Sequence, residues 1–421
     1  MKRYEHYSPV SSLLTKEIPS HWEMKRNRVF LRPKFVSVGQ DASKYPLLSL
    51  TTNGIVYRDV ESGKGKFPKD FDAYQVVAPN DIVFCLFDVD ETPRTVGLSS
   101  LNGMLTGAYD AFSIANTVNP RFIFYYYTAV DDIKALRPYY TGLRKVVKKD
   151  KFMAISIPLP SVDEQNKIVA YLDKKITLIE SCKCQREREL QTLNELKQAE
   201  IASVVTRGIN PNVPMKDSGI PWIGQIPAHW EIKRAKYMFR KEKREVRPED
   251  KVVTCFRDGQ VTLRENRRTT GFTESITEIG YQGIRKGDLV IHQMDAFAGS
   301  IGVSDSDGKG TSVYHCCTPK GAYLPEYYAL ALREMARTGF IQSLYRGIRE
   351  RSSDFNFQTF GKQYLPVPPE KEQYEIVEFI HSRTAKIDKM IAALNNEIDR
   401  LVEYKQRLIS DVVTGQINVQ D

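Results

Sequence analysis

The sequence predicts an α+β fold: two sheet-rich domains separated by two long antiparallel coiled-coil helices, with an internal pseudo-two-fold repeat. The first observation is a nine-residue segment, Ile18 to Arg26, that returns 208 positions later as Ile226 to Arg234. A second segment, Ile157 to Val169, returns at the same offset as Leu365 to Val377. Periods of 20–50 residues indicate solenoids, whereas this period has the length of a domain. The chain is therefore predicted to be two copies of one module.

The third observation is a seam of apolar residues in each of two long segments. From position 380 to 412 the seam advances by alternating steps of four and three, which is typical of a coiled coil sustained over more than four heptads. Gly208 and Gly415 follow the predicted ends of the helices, as glycines at helix C-termini often do. The predicted seam comprises Leu172, Ile176, Ile179, Leu190, Leu193, Ile380, Ile387, Ile391, Leu394, Ile398, Leu401 and Leu408.

Pairing of these two helices with each other is favoured, because two matching seams occur in one chain. A helix with this pattern could instead form a homodimer or pack on its own domain. The first seam carries charged residues in its middle, at Lys183, Arg186 and Lys197, with Glu200 of opposite sign beyond them. About 40 residues at 1.5 Å each give a helix of roughly 60 Å.

The segments before the helices are rich in β-forming residues, glycine turns and aromatic residues. Buried strands are predicted at 82–87 and 289–292, and short helices at 122–136 and 325–338. Between the repeated segments the two copies differ almost completely, which indicates one scaffold carrying two different readers. The predicted domains are 1–156 and 216–364 for the sheet-rich parts, and 157–215 and 365–421 for the helical parts.

The composition favours a nucleic-acid partner without requiring one. The formal net charge is +9 with a pI near 9.0, which is typical of proteins that bind polyanions, although many soluble proteins are as basic by chance. The six cysteines form no CxxC pair, so we expect reduced thiols in a cytoplasmic protein. No run of apolar residues approaches the length of a signal peptide or a membrane span.

The sequence lacks the motifs of common enzymes. It has no GxxxxGK[ST] phosphate loop, no GxGxxG after a strand, no HExxH and no GxSxG. Asp88, Asp90 and Glu91 follow a predicted strand as a nuclease metal site does, but a turn with solvated carboxylates explains them better. His21 and His229 lie in the repeated segment and are expected to be structural. No catalytic, cofactor-binding or metal-binding residue is predicted.

Polar and basic loops are the remaining candidates for function. The pattern Tyr-x-Gly-[Leu/Ile]-Arg occurs at 140–144 and again at 345–349, so Arg144 and Arg349 are equivalent. Arginine and lysine bind phosphates, and arginine or asparagine can also read base edges; the alternative is a solvated charged loop. The candidate DNA-binding residues are Arg144, Lys145, Lys148, Lys149, Arg264, Asn266, Arg267, Arg268, Arg346, Arg349 and Arg351.

The combination of repeated segments resembles the specificity subunit of Type I restriction–modification enzymes. The resemblance rests on the IPxHWExKR segment, the [Ile/Leu]-Pro-x-Pro-x-x-x-Glu-Gln segment, the seam helices and the sequence 217–224 before the second copy. It extends over the whole chain. It implies two target-recognition domains, each reading one half of a split DNA site, and two antiparallel helices whose length sets the gap between the halves.

The resemblance also implies partners and a division of labour. Expected partners are double-stranded DNA, methyltransferase subunits that dock on the helical regions, and a restriction and translocation subunit. The chain itself is expected to be non-catalytic and to bind no cofactor, with S-adenosylmethionine, ATP and Mg²⁺ on the partner subunits. The charges on the first seam depart from a simple helix pair; Glu200 opposes them in sign, and a partner subunit that faces the helix could neutralise the rest. The rival interpretation is a coiled-coil adaptor that binds protein only.

Overall fold

A computed structural model describes residues 2–58, 71, 73–267, 280–344 and 355–420. The chain forms two compact units. The first contains Met1–Glu187 and Asn395–Asp421, and the second contains Arg188–Leu394. Each unit therefore includes a sheet-rich part together with a portion of both long helices. The domain boundaries given above, which assign the helices to regions of their own, stay a prediction.

The first unit is built from short strands and helices around an aromatic core. Its central sheet has four antiparallel strands, which lie side by side in the order Leu31–Lys34, Asp110–Ile114, Ile82–Phe84 and Val96–Leu98. The helix Pro120–Asp132 covers this sheet. The ring of Phe84 lies 4.7 Å from that of Phe152 and 4.9 Å from that of Tyr127, centroid to centroid. The strands are β1 Tyr7–Pro9, β2 Glu17–Pro19, β3 Glu23–Arg26, β4 Leu31–Lys34, β5 Leu48–Thr51, β6 Gly54–Tyr57, β7 Tyr74–Val77, β8 Ile82–Phe84, β9 Val96–Leu98, β10 Gly103–Thr106, β11 Asp110–Ile114, β12 Tyr140–Thr141, β13 Val146–Val147 and β14 Ser156–Leu159; the helices before the first long one are α1 Asn27–Phe30, α2 Pro120–Asp132 and α3 Lys149–Ala154.

The second unit has its own four-stranded antiparallel sheet, whose strands lie side by side in the order Phe239–Glu242, Tyr314–Pro319, Leu289–His292 and Ile301–Val303. Its aromatic core includes Phe239, whose ring lies 5.3 Å from that of Tyr328. The strands are β15 Met215–Asp217, β16 Gln225–Pro227, β17 Glu231–Arg234, β18 Phe239–Glu242, β19 Val253–Cys255, β20 Val261–Leu263, β21 Gln282–Ile284, β22 Leu289–His292, β23 Ile301–Val303, β24 Gly308–Gly310, β25 Tyr314–Pro319 and β26 Tyr364–Val367; the short helices are α5 Ala235–Met238, α6 Pro325–Arg337, α7 Phe340–Ser343 and α8 Phe357–Lys362.

The two units pair their strands in the same order. The pairs β1–β2, β3–β14, β5–β6 and β7–β10 of the first unit correspond to β15–β16, β17–β26, β19–β20 and β21–β24 of the second. The four-stranded sheets correspond strand by strand, and both α2 and α6 are 13-residue helices that begin at a proline. The repeat seen in the sequence is therefore a repeat of topology. The predicted α+β fold with long helices is confirmed.

The two long helices are α4, Val162–Arg207, and α9, Glu370–Val413. In the first unit, Lys405 Nζ lies 2.7 Å from Glu180 Oε1, and Arg186 Nε lies 3.0 Å from Glu397 Oε2. The partner's number falls as the α4 number rises, so these parts of the helices are antiparallel. The second unit shows the same direction, with Lys197–Asp388 at 2.6 Å and Glu200–Arg383 at 2.5 Å.

The predicted seam positions differ in burial along the helices. Leu172, Ile179, Ile380, Ile387 and Leu408 are buried. Ile176 is half-buried, and so are the positions nearer the middle of the helices, namely Leu190, Leu193, Ile391, Leu394, Ile398 and Leu401.

The charged positions of the first seam have carboxylate partners within the chain. Arg186 and Lys197 are paired with carboxylates of α9. Lys183 lies 3.3 Å from Glu187 of its own helix. Two of these three cations therefore form ion pairs with the other long helix, and the third forms one within its own helix.

Within the described residues, no helix is long and apolar enough to cross a membrane. All six cysteines are free, and Cys85, Cys255, Cys316 and Cys317 are buried. Burial raises the pKa of Cys316 to about 12, so this thiol stays protonated and unreactive near neutral pH.

Candidate nucleic-acid interface

A hydrogen-bonded cluster at the start of α4, here called the first helix-start cluster, joins the two repeated sequence segments. Glu164, in the first turn of α4, accepts hydrogen bonds from Tyr4 Oη at 2.6 Å and Trp22 Nε1 at 3.1 Å. The Nε2 of His21 lies 3.0 Å from the other carboxylate oxygen. Burial opposes ionisation, but the hydrogen bonds from Tyr4, Gln420, Trp22 and His21 together outweigh it and lower the pKa of Glu164. The start of a helix also favours a negative charge.

The second unit repeats this arrangement at the start of α9, in a second helix-start cluster. Trp230 Nε1 donates to Glu372 at 3.0 Å, and His229 Nε2 lies 2.8 Å from the same carboxylate. The repeated histidine and tryptophan are thus structural, as the sequence predicts for the histidines. Their role is to attach each sheet-rich part to a long helix.

The glutamine that follows each of these glutamates joins the long helix to the 13-residue helix of the same unit. Gln165 Nε2 donates to Pro160 O at 2.9 Å, and its Oε1 accepts from Asn119 N, just before α2, at 2.8 Å. Gln373 makes the same two bonds with Pro368 O and Leu324 N, at 2.9 and 2.8 Å. The repeated Glu-Gln pair therefore fixes α2 and α6 relative to the long helices of their units.

A basic hairpin, β12–β13 with its tip at 142–145, is the main candidate for DNA contact in the first unit. Gly142 and Lys145 have φ values of +77° and +45°, which form the tight tip. Leu143 is fully exposed there. The side chain of Arg144 is 75% exposed, and its guanidinium lies 5.4 Å from the centre of the Phe87 ring. The tip therefore presents an apolar and a cationic side chain to solvent.

Carboxylates that follow β8 hold this hairpin in place. Arg144 lies 3.8 Å from Asp88, and Lys145 lies 2.9 Å from Glu91 and 3.4 Å from Asp90. Tyr140 Oη donates to Asp90 at 3.1 Å. Partial burial opposes the shift, yet these bonds from Tyr140 and Lys145 lower the pKa of Asp90. These acids lie in a turn, as predicted, and Glu91 is solvated, but Asp90 is largely buried and pairs with the basic hairpin.

No group of acidic, histidine or cysteine residues in the described part of the chain could hold a metal ion. The two remaining candidates of the first unit lie beside the hairpin, at the start of α3. Lys149 Nζ pairs with Asp110 at 2.6 Å. Lys148 is exposed at the N-cap of α3. Together with Arg144 and Lys145 they give this edge of the unit a cluster of cations.

The candidates of the second unit lie on the segment that follows β20. Asn266 Nδ2 donates to Thr262 Oγ1 at 2.8 Å. Arg267 pairs with Asp258 at 2.7 Å, and its guanidinium lies 4.3 Å from the centre of the Phe256 ring. Arg264 lies 3.5 Å from Thr254 Oγ1 and is half-buried. The exposed members of this segment are therefore Asn266 and Arg267.

Four further candidates, Arg268, Arg346, Arg349 and Arg351, lie outside the described residues. The geometry of the Tyr-x-Gly-[Leu/Ile]-Arg pattern is thus seen in its first copy only. Sequence reasoning did not identify Phe87 and Phe256, each of which lies beneath a candidate arginine. Their signal was local, since each aromatic residue lies one or two positions before an acidic residue that pairs with that arginine, Asp88 or Asp258.

Comparison with known proteins agrees with this architecture. Residues 52–192 match the family model described as the Type I restriction modification DNA specificity domain. The Type I restriction enzyme EcoBI specificity subunit of Escherichia coli is 22% identical over 284 residues, which cover 63% of this chain. The match spans 59% of that relative's length.

Two solved structures share the fold over nearly the whole chain. One comes from work on complex assembly and conformational transition of the type I R-M system; it has a TM-score of 0.65 at 15% identity and covers 95% of this chain and 99% of that one. The other is the HsdS subunit from Thermoanaerobacter tengcongensis, with a TM-score of 0.50 at 16% identity, covering 95% of this chain and 98% of that one.

The repeated topology and the paired long helices define a protein of two similar units. Its residues 52–192 match the DNA specificity domain of Type I restriction–modification systems, and the chain is similar to a specificity subunit of such a system.

Proposed function

We propose that the chain is the DNA sequence-specificity subunit of a Type I restriction–modification complex and reads a bipartite DNA site. The observation that carries the proposal is the contrast between what repeats and what varies. The helix-start clusters and the strand order repeat, while the sequences between the repeated segments differ almost completely. Two units that share one framework but carry different loops are suited to the recognition of two different half-sites.

The chain contributes recognition and assembly, and its partners contribute the chemistry. Methyltransferase subunits bring S-adenosylmethionine, and a restriction and translocation subunit brings ATP and Mg²⁺ chemistry. The chain itself is non-catalytic and binds none of these cofactors. The pairing of its charged side chains supports this division, because carboxylates such as Asp88 and Asp90 bind neighbouring cations instead of facing a cleft.

In the first unit, the hairpin tip makes the phosphate contact. Arg144 is mostly exposed and lies over Phe87, which orients the guanidinium without neutralising it. Arg144 and Lys148 contact phosphates, while Asp90 and Glu91 hold Lys145 so that the hairpin keeps its shape. In the second unit, Asn266 and Arg267 have the side chains suited to read a base edge.

The test is to map methylated adenines in DNA from cells that express the chain with methyltransferase subunits. We expect one motif with two specific halves and a fixed gap of unspecified bases. Changing Asn266 and Arg267 should alter the specified bases of one half only, whereas changing Arg144 and Lys148, the phosphate contacts of the first unit, should lower methylation of the whole motif without altering its bases. Each pair of substitutions serves as the control for the other.

The rival function, a coiled-coil adaptor that binds protein alone, makes the opposite prediction. The purified complex would bind duplex DNA no better with the intact chain than without it, and no split motif would be methylated. Altered bases in both halves after either pair of substitutions would also contradict the proposal, since each unit would then not read its own half-site.

A further inference from the structure

The second unit contains a cavity of about 510 Å³ between α4, α6, the turn after β19 and the 3-10 helix Ala296–Ala298. Its lining combines four cations, Lys197, Arg257, Arg333 and Arg337, with two acids, Asp258 and Glu334. Apolar side chains complete the wall, among them those of Ile201, Phe297 and Leu330. The cavity is therefore amphipathic and has an excess of positive charge.

Three of the four cations already have a carboxylate partner. Lys197 pairs with Asp388 at 2.6 Å, and Arg257 pairs with Asp295 at 3.1 Å. Arg337 makes two hydrogen bonds of 2.7 Å with Glu334.

Arg333 differs from them. Within the part of the chain that the structure describes, no side chain forms an ion pair or a hydrogen bond with its guanidinium, and its Nε is buried without a partner. The charge of Asp258 stabilises that of Arg333 at a distance, but Asp258 forms its ion pair with Arg267, at 2.7 Å.

A neighbouring glycine leaves room for the side chain of Arg333. Gly259 has a φ of +90°, and a Cβ built on it would lie 2.4 Å from Arg333 Nη1 and 2.6 Å from Cζ. Only glycine leaves room for the guanidinium at this place. Burial lowers the pKa of Arg333 below its ordinary value, which means that the charge is held at a cost to stability.

The first unit shows that the fold does not need this arginine. Since α2 and α6 correspond residue by residue from their first prolines, Thr128 takes the place of Arg333 in the first unit. Its hydroxyl bonds to Phe124 O of its own helix at 2.8 Å. At the end of α2, the acids Asp131 and Asp132 are paired with Arg94 at 3.1 and 2.9 Å. The unpaired cation is a feature of the second unit's cavity.

We propose that this cavity is a docking site for an acidic side chain of a protein subunit that assembles on the chain, with Arg333 as the residue that binds its carboxylate. A planar guanidinium binds a carboxylate through two parallel hydrogen bonds. The apolar wall receives the stem of the side chain and its apolar neighbours. A carboxylate on a flexible side chain reaches a recessed guanidinium more readily than a phosphate fixed in the backbone of a duplex. The identity of the partner rests on the proposed function, but the anion site can be tested on the full chain alone.

The first experiment compares the wild-type chain with Arg333→Met and with the control Arg337→Met, which removes a cation from the same helix and cavity. Because no side chain in the described ranges pairs with Arg333, Arg333→Met should melt at the same temperature as the wild type or higher. Because Arg337 is paired with Glu334, Arg337→Met should gain nothing. A melting temperature for Arg333→Met several degrees below that of the wild type would give Arg333 a structural role and overturn the proposal.

The second experiment measures melting in glutarate, which carries the carboxylate of a glutamate side chain, and in inorganic phosphate, both against sodium chloride of equal ionic strength. At about ten times its dissociation constant, glutarate should raise the melting temperature by about 3 °C in the wild type and in Arg337→Met. Arg333→Met should show no rise. No rise in the wild type, or a rise with phosphate alone, would overturn the assignment of a carboxylate.

The third experiment tests the partner with the methyltransferase subunits. Arg333→Met should weaken their association with the chain at least tenfold and leave the affinity of the chain for duplex DNA unchanged. Unchanged association would overturn the docking proposal while the DNA motif remained intact, so this failure is separable from failure of the proposed function. A loss of DNA affinity in Arg333→Met alone would assign the site to a phosphate instead.

Discussion

Replacement of Glu164 by alanine should destabilise the first unit far more than the second. Glu164 is only 3% exposed, and its carboxylate meets Tyr4, Trp22 and His21 at 2.6, 3.1 and 3.0 Å. A hydrogen bond to a charged group contributes about 1.5–3 kcal/mol. The three bonds share one acceptor and are not additive, so we expect a loss of about 3–5 kcal/mol.

Replacement of Glu372 by alanine is the matched control. Glu372 binds two side chains, those of Trp230 and His229, and its own side chain is 22% exposed. After the substitution, water can therefore replace some of the hydrogen bonds that the carboxylate made to these two residues. We expect a loss of about 1–3 kcal/mol, confined to the second unit.

Hydrogen exchange with mass spectrometry is the suitable assay, because it reports the two units separately through their peptides. In Glu164→Ala, the amides of β4, β8 and β11 should exchange about a hundred to a few thousand times faster, since each 1.4 kcal/mol corresponds to a factor of ten. The amides of β18, β22 and β25 should change little. Unchanged protection in the first unit, or equal loss in both units, would refute the reasoning.

The charge of Glu164 adds a pH dependence of known sign. Its pKa is lowered from 4.5 in the folded chain, so its contribution is complete above pH 4.5 and is lost as the pH falls through the lowered pKa. Glu164→Gln should therefore flatten the fall of stability on the acid side. An acid limb as steep in Glu164→Gln as in the wild type would assign the pH dependence to other carboxylates.

Three further outcomes are expected. Arg144→Ala should weaken binding to all duplexes alike and reduce the slope of log affinity against log salt by about one, as measured by fluorescence anisotropy; a loss confined to one sequence would show that Arg144 reads a base. Gly415→Ala should lower the free energy of unfolding by about 2–3 kcal/mol in chemical denaturation, because the residue has a positive φ and its Cβ would lie 2.4 Å from Pro19. Gly142→Ala is the control: φ is positive there too but the space is open, so the loss should be about 1 kcal/mol. Equal losses would show that the close contact with Pro19 relaxes. Reversal of Glu200 or Arg383 alone should destabilise the helix pair and the double reversal should restore it, with a coupling of about 0.5–1 kcal/mol; a coupling of zero would mean that this pair makes no net contribution.

The long helices and the central strands could be predicted because their periodicity is local in the sequence. The strand β22 has the predicted bounds, and α6 differs from its prediction by one residue at its end. The α2 helix begins two residues earlier and ends four residues earlier than predicted. Asn119 accounts for the earlier start, since its side chain accepts a hydrogen bond from Arg121 N at 2.8 Å and caps the helix.

The contacts that join distant segments could not be predicted in the same way. The sequence showed that the His-Trp and Glu-Gln segments repeat, but 142 residues separate Trp22 from Glu164, and the repeat alone does not show that the two meet. The cavity around Arg333 was also hidden. Arg333 fits the polar face of an amphipathic helix, so its burial and its missing partner become visible only in three dimensions.

The burial along the long helices indicates how their pairing is stabilised and how its register is set. In the first unit, Leu172 and Leu408 are buried in the core, and in the second unit Val205 and Ile376 are. Each such side chain contributes about 1.5–3 kcal/mol. The ion pairs nearer the middle are partly exposed and contribute little to stability. A wrong register, however, would place like charges together and leave Lys197 without Asp388. Stability therefore comes from the buried ends of each pairing, and the charges between them select the register.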